Sequence, residues 1–208
     1  MTTSPELLNR LTRSAATGSN LSASESLGAI VTETTGLIAQ LTNGESAKSL
    51  DAAAAVLNNA DRVFVLGAGR SGLALRMTAM RLMHLGLTVH IVGDNTTPAI
   101  AGGDALLVAS GSGATINIVA AATTSAGLGA DIVALTTAPE SPLAKLATVV
   151  IEIPAAQKLV RDGARSIQYA GGLFEQAVVL VGDALFHSLW LASGQTADDI
   201  WPRHANIE

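Results

Sequence analysis

The chain has 208 residues, of which 49% are hydrophobic, 3% aromatic and 14% charged, and its net charge is −5. This length and aliphatic composition fit one well-cored domain and exclude a disordered chain, and the scarcity of charged residues favours surfaces covered in a homo-oligomer. The acidic charge argues against nucleic-acid binding, and the absence of cysteine excludes disulfides, a thiolate nucleophile and cysteine-ligated zinc.

The N-terminal third is predicted to be helical. Ser4-Pro5-Glu6 combines a cap residue, proline at the first helical position and an acid in the first turn, which predicts a short helix. Apolar residues then recur at helical spacing over residues 24–41 and 46–59. Because no basic and apolar leader opens the chain and no run approaches the roughly 18 apolar residues of a membrane span, we expect a cytoplasmic protein without membrane contact.

From residue 63 onward, short apolar runs alternate with helical patterns. The runs predict strands at residues 63–66, 88–92, 105–109, 131–135 and 148–153. The intervening patterns predict helices at residues 71–85, 114–126 and 141–146. Near-continuous apolar strands separated by helices are typical of a parallel sheet covered on both faces, so we expect a doubly wound α/β fold with five parallel strands.

The C-terminal part begins with an irregular polar stretch at residues 154–169. Residues 173–193 follow as a long helix that is apolar almost all round, which predicts burial in the domain and against a second subunit. We therefore divide the chain into an N-terminal helical segment (1–23), the α/β domain (24–194) and a polar tail (195–208).

The first strand runs into a glycine-rich loop, Gly67-Ala68-Gly69-Arg70-Ser71-Gly72. This loop matches the G-x-G-x-x-G pattern of dinucleotide sites, and Asp94 follows the second strand, where a ribose-binding acid is expected. However, a bulky cation at Arg70 would crowd a pyrophosphate. A nicotinamide dehydrogenase is therefore the weakest of the hypotheses.

A second loop, Ser110-Gly111-Ser112-Gly113-Ala114-Thr115, follows the third strand and opens a helix. Three hydroxyl groups and free backbone N–H groups at a helix N-terminus suit one terminal phosphate. The alternative is that these hydroxyls only cap the helix. Because both loops follow parallel strands, they are expected to face one small molecule, which indicates a phosphorylated polyol.

The pair "LGAGRSG" and "SGSGAT" resembles the sugar isomerase (SIS) phosphosugar-binding domain. The resemblance is strongest to its 6-phospho-3-hexuloisomerase subfamily, through "MRLMHLG" (80–86), "VGDNTTPAI" (92–100), "FEQA" (174–177) and the terminal "RHANIE". It extends from about residue 24 to the C-terminus and departs at Ala114, where the superfamily often has a charged residue.

The resemblance implies interconversion of D-arabino-hex-3-ulose 6-phosphate and D-fructose 6-phosphate in formaldehyde fixation by the ribulose monophosphate pathway. It also implies a homotetramer that uses no metal or redox cofactor. The open alternatives are an isomerase of arabinose or heptose phosphates and a non-catalytic phosphosugar sensor. The lack of a helix-turn-helix extension and of a basic stripe argues against the sensor.

The resemblance also assigns roles to individual residues. Moving a carbonyl from C3 to C2 through an enediol needs a carboxylate that takes and returns a proton, and the resemblance places Glu175 in that role. The alternative is an ordinary acid in the first turn of a helix. His204 is implied as an acid/base assistant, in its own or a neighbouring subunit's site, against the alternative of a surface histidine. The predicted substrate-binding residues are Gly69, Arg70, Ser71, Ser110, Gly111, Ser112, Gly113 and Thr115.

Arg70 has two interpretations: it contacts the enediolate or the sugar hydroxyls, or it is a salt-bridged loop arginine. The histidines His84, His90 and His187 are expected to be structural. No set of His, Asp and Glu residues has metal-ligand spacing, and no serine nucleophile motif is present, so neither metal-assisted nor covalent catalysis is predicted.

Overall fold

A computed structural model describes residues 21–156 and 166–207. Its strands are β1 (Val63–Gly67), β2 (Val89–Ile91), β3 (Ala105–Ala109), β4 (Asp131–Thr136) and β5 (Val149–Glu152). They form one parallel sheet in the order β2-β1-β3-β4-β5. The predicted five-stranded, doubly wound fold is thus confirmed, whereas the predicted helix at Ser4-Pro5-Glu6 lies outside the described residues.

The helices flank this sheet and match the predicted segments closely. They are α1 (Ala23–Leu41), α2 (Gly44–Asn59), α3 (Gly69–Leu85), α4 (Ile116–Gly127), α5 (Pro142–Leu146), α6 (Gly172–Ser193) and α7 (Ala197–Ile200). Single 3₁₀ turns precede α6 (Tyr169–Gly171) and follow α7 (Trp201–Arg203).

Both faces of the sheet are buried because neighbouring residues of each strand point to opposite sides. In β1, Val63 and Val65 belong to the apolar cluster under α1, α2, α3 and α6, whereas Phe64 belongs to the cluster under α4 and α5. All residues of the central strand β3 are buried. This two-sided burial explains why the strands appear in the sequence as unbroken apolar runs.

Helices α3 and α6 pack closely against each other at Gly182. A Cβ atom at this position would lie 1.9 Å from the Thr78 hydroxyl oxygen, so only glycine allows this approach. By length and hydropathy alone, the segment Tyr169–Ser193 would be long enough to cross a membrane. Its residues Leu173, Val178 and Leu185 are buried in the core beside the sheet, and a buried core helix passes the same test.

Several element boundaries differ by one or two residues from those expected, and two of them have a clear physical cause. The strand predicted at residues 88–92 is shortened to Val89–Ile91, since it lies at the sheet edge and pairs only with β1. Helix α4 begins at Ile116 instead of residue 114, because Gly113 has a φ of 59° and Thr115 has extended backbone angles. The loop before α4 is therefore longer than predicted.

An ion pair joins β1 to β3 at the amino end of the sheet. Arg62 donates from Nε and Nη2 to the two carboxylate oxygens of Asp104, at 2.9 and 2.6 Å, and Asp104 is only 2% exposed. These hydrogen bonds from Arg62 are the main reason that the pKa of Asp104 lies below its ordinary value.

Candidate active site

The two glycine-rich loops meet at the carboxyl ends of β1 and β3. These strands are neighbours in the sheet, and Gly67 pairs with Ala109 immediately before the loops begin. The chain leaves β1 toward β2 on one side and returns to β3 on the other, so the strand order reverses between them. Such a reversal opens a crevice in which parallel α/β sheets bind ligands.

The loop after β1 requires glycine because strand and helix approach closely. A Cβ atom on Gly72 would lie 2.4 Å from the Gly67 carbonyl oxygen, and Gly69 has a φ of 57°. Ser71 is buried in the first turn of α3, and Arg70 extends from the same turn into solvent. The match to a dinucleotide fingerprint therefore reflects close strand-helix packing, which both kinds of site share.

The hydroxyl groups of the second loop interact mainly within the loop. Ser110 Oγ and Thr115 Oγ1 are 3.3 Å apart, and Ser112 Oγ accepts a hydrogen bond of 3.3 Å from the Ala114 N–H. Thr115 is the N-cap residue of α4, but its side chain makes no capping hydrogen bond among the described residues. Thr115 thus does not cap the first N–H groups of α4, and uncapped N–H groups at a helix N-terminus favour an anion.

Glu175 lies in the first turn of α6 and connects this helix to the loop after β1. Its side chain is 4% exposed, and its Oε2 accepts a hydrogen bond from Arg70 Nε. The neighbouring Phe174 packs beside the second loop, since a Cβ atom on Gly111 would lie 3.6 Å from its ring. The structure therefore brings together the predicted residues of both loops and Glu175.

A polar network fixes the backbone that enters α6. Ala170 and Gly171 have φ values of 50° and 86° before the helix starts. Gln168 Nε2 donates to Glu33 Oε2 at 3.0 Å, and Gln176 Nε2 donates to Gln168 Oε1 at 2.8 Å. No local sequence pattern predicts this network, because Glu33 lies far away from Gln168 in the chain.

His204 lies elsewhere in the protomer. Its ring stacks on those of His84, at 4.7 Å, and Trp201, at 5.1 Å. His84 is in the last turn of α3 whereas Arg70 is in the first, which separates them by about 20 Å along the helix axis. Within one chain, the structure does not bring His204 to Glu175.

The tail that carries His204 is attached to the end of α3. Arg203 Nη1 donates to the His84 carbonyl oxygen at 3.2 Å and to Gln195 Oε1 at 3.0 Å. Burial, followed by the nearby charges of His204 and Arg81, lowers the pKa of the His84 side chain. His84 is thus a buried residue that binds the tail through its ring, which stacks on His204, and through its carbonyl oxygen, which accepts from Arg203.

Two other features bear on the alternatives. Asp94, the candidate ribose-binding acid, forms an exposed ion pair of 2.9 Å with Arg76 on α3. Within residues 21–156 and 166–207, no group of three or more His, Asp or Glu side chains is placed to hold a metal ion.

Comparison with known proteins identifies the same region. The sequence profile of the SIS domain matches residues 56–170. A Mycobacterium gastri protein named 3-hexulose-6-phosphate isomerase is 60% identical over 147 residues, covering 71% of this chain and 74% of the relative. A Bacillus subtilis protein of the same name is 40% identical over 148 residues, covering 71% and 80%.

A solved structure agrees with these sequence relatives. It is the crystal structure of a hypothetical protein from Methanococcus jannaschii, from which a molecular function of 3-hexulose-6-phosphate isomerase is inferred. It superimposes with a TM-score of 0.76 at 27% identity, covering 88% of this chain and 99% of that one.

Proposed function

The chain belongs to the SIS domain family, as its two glycine-rich loops predicted, and we propose that it is an isomerase that interconverts D-arabino-hex-3-ulose 6-phosphate and D-fructose 6-phosphate. The names of its bacterial relatives support this activity. The observation that carries the proposal is that a buried carboxylate, Glu175, is paired with Arg70 where the loops after β1 and β3 leave the sheet at its switch point.

The second loop is proposed to hold the phosphate. The N–H groups at the start of α4 and the hydroxyls of Ser110, Ser112 and Thr115 would donate to its oxygens. Ser71 and the backbone of Gly69 and Gly111 complete the proposed binding surface, and Gly113, whose N–H and C=O are both hydrogen-bonded within the protein, shapes the loop.

The reaction itself needs one base in a place sheltered from water. In the proposed mechanism, Glu175 takes the proton from C2 of the 3-ulose, and the electron pair forms the C2–C3 double bond of an enediolate. The hydroxyl proton on O2 passes to the oxygen on C3, and the carbon-bound proton returns from Glu175 to C3 as the carbonyl forms at C2, so that both the C–H and the O–H transfers balance. Arg70, hydrogen-bonded to Glu175, would orient the carboxylate and stabilise the enediolate charge.

His204 is proposed to act in the site of a neighbouring subunit. Two observations support this: its separation from Glu175 within one chain, and the apolar side chains that α3 exposes beside it, Leu73, Met77 and Met80. We propose a homotetramer in the cytoplasm, in which the tail 195–208 contributes to a second copy's site.

The test is an isomerisation assay with purified protein and no added cofactor. We expect turnover of 3-hexulose 6-phosphate to fructose 6-phosphate, and little with arabinose 5-phosphate or sedoheptulose 7-phosphate. Preference for either of these would identify a different isomerase, and binding without turnover would identify a sensor. A titration with NAD should show no binding.

A further inference from the structure

The carbonyl oxygen of Gly111, in the second loop, accepts three hydrogen bonds from Thr136, the last residue of β4, and from Thr137, which follows it. The donors are the Thr137 N–H at 3.0 Å, Thr137 Oγ1 at 2.8 Å and Thr136 Oγ1 at 3.1 Å. Three donors, one more than the two lone pairs of a carbonyl oxygen, approach this oxygen, so its direction is fixed more firmly than that of a loop carbonyl with one partner. Thr136 is fully buried, which keeps water from competing for this contact.

The loop is also held at Gly113. Its N–H donates to the Ser110 carbonyl at 3.0 Å, and its own carbonyl accepts from the Leu143 N–H at 3.0 Å. Its φ is 59°, and a Cβ atom there would lie 2.0 Å from Ser141 Oγ. The loop therefore rests on the connection between β4 and α5 and has little freedom to turn over.

Fixing the Gly111 carbonyl determines where the next N–H points. The Gly111 C=O and the Ser112 N–H belong to one planar trans peptide and point in opposite directions. Because the carbonyl faces the end of β4, the Ser112 N–H faces away from β4. In the part of the chain that the structure describes, this N–H donates to no protein acceptor.

We propose that Thr136 and Thr137 are positioning residues for phosphate binding, which hold the Gly111–Ser112 peptide so that the Ser112 N–H points at the phosphate. This rests on the proposed function, in which the second loop binds the phosphate of the substrate. Neither threonine touches the ligand in this role. Both hydroxyls donate to the loop, and Thr136 Oγ1 also accepts from the Ala138 N–H at 3.2 Å.

The test compares Thr137→Val, which removes one donor and keeps the shape, with Thr137→Ser, which keeps the donor. Isothermal titration calorimetry measures the Kd of fructose 6-phosphate and of inorganic phosphate, and kinetics give KM and kcat. We expect Thr137→Val to raise both Kd values and KM about five- to tenfold, with a smaller change in kcat, and Thr137→Ser to restore wild-type values.

Thr148→Val is the matched control. The Thr148 hydroxyl donates to Asp131 at 2.9 Å and accepts from the Ile132 N–H at 3.1 Å, at the opposite end of β4. Its loss should affect stability without changing phosphate affinity. Thr136→Val provides a second, independent removal of a donor if Thr137→Val does not fold.

The outcomes separate this proposal from the proposed function. If the folded threonine variants bind both ligands as tightly as the wild type, the positioning role is wrong while the isomerase proposal stands. If the wild type itself binds neither ligand, both fail. A melting temperature that falls without any change in Kd would show that the threonines only stabilise the fold.

Discussion

Replacing Glu175 with glutamine removes the charge of the proposed base and keeps its size. Acid-base catalysis by a positioned side chain typically contributes about 10²–10⁴-fold to the rate. Because Glu175 is 4% exposed, water has little access to replace it, and we expect the upper part of this range. A loss of about 10³–10⁴-fold in kcat corresponds to about 4–5.5 kcal/mol in the activation barrier.

The same substitution should leave binding and folding nearly intact. The phosphate is held by the loop after β3, so KM should change by less than about threefold. Glutamine keeps an oxygen that accepts from Arg70 Nε, and the 70% exposure of the Arg70 side chain screens the ion pair. The free energy of unfolding should therefore change by less than about 1 kcal/mol.

Two assays check this prediction. One measures isomerisation, and the other follows incorporation of deuterium into fructose 6-phosphate in D₂O, which reports abstraction of the carbon-bound proton and its exchange with solvent without requiring complete isomerisation. Glu45→Gln, on the exposed first turn of α2, is the matched control and should behave as the wild type. If Glu175→Gln keeps more than about a tenth of kcat, Glu175 is not the base.

Three further predictions concern stability and assembly. Asp104→Asn should lower the free energy of unfolding by about 1–2 kcal/mol by weakening two guanidinium hydrogen bonds. Since the pKa of Asp104 is lowered in the folded protein, its contribution to the free energy of unfolding should be complete above the unfolded pKa of about 3.8 and lost as pH falls through the lower folded pKa. Urea unfolding measures this free energy, and an equal loss of stability in Asp104→Asn at every pH would contradict the prediction. Gly182→Ala should lower Tm through contact with Thr78, and adding Thr78→Ala should recover most of the loss; a double variant no more stable than the single one would exclude that contact. Mixed and refolded together, inactive Glu175→Gln and His204→Ala chains should regain activity in about a quarter of their sites if the two residues act across subunits, and no recovery would place them in one chain.

The sheet could be predicted well because its signal is local. Each strand is buried on both faces, and burial imposes an unbroken apolar run that any reader of the sequence can see. The errors fall where burial is incomplete or the backbone departs from regular geometry. The edge strand β2 was predicted too long, and α4 was predicted two residues too early because the left-handed Gly113 was not recognised.

The candidate site was predictable only in part, for the same reason. The two loops carry their own glycine and hydroxyl patterns, and the parallel sheet brings them together. The residues whose hydrogen bonds hold the site in place carry no such local pattern. Glu33 reaches Gln168 from a helix far away in the chain, and Thr136 and Thr137 appear in the sequence as ordinary ends of a strand. Their contribution becomes visible only through their hydrogen bonds.

The hydrogen bond from Arg70 to Glu175 makes the two interpretations of Arg70, a salt-bridged loop arginine and a substrate-facing arginine, compatible with each other. A salt-bridged loop arginine and an arginine that faces the substrate are alternatives only if the salt bridge engages the whole guanidinium. Here Nε donates to the buried Glu175, while the side chain as a whole is 70% exposed. A guanidinium has five donors in a rigid plane, so one edge can hold the carboxylate while the Nη groups extend into the cleft. Lysine, with a single ammonium group on a flexible stem, lacks that geometry. The ion pair is therefore part of the argument that Arg70 acts in the reaction, because it fixes the arginine and the proposed base in a single unit.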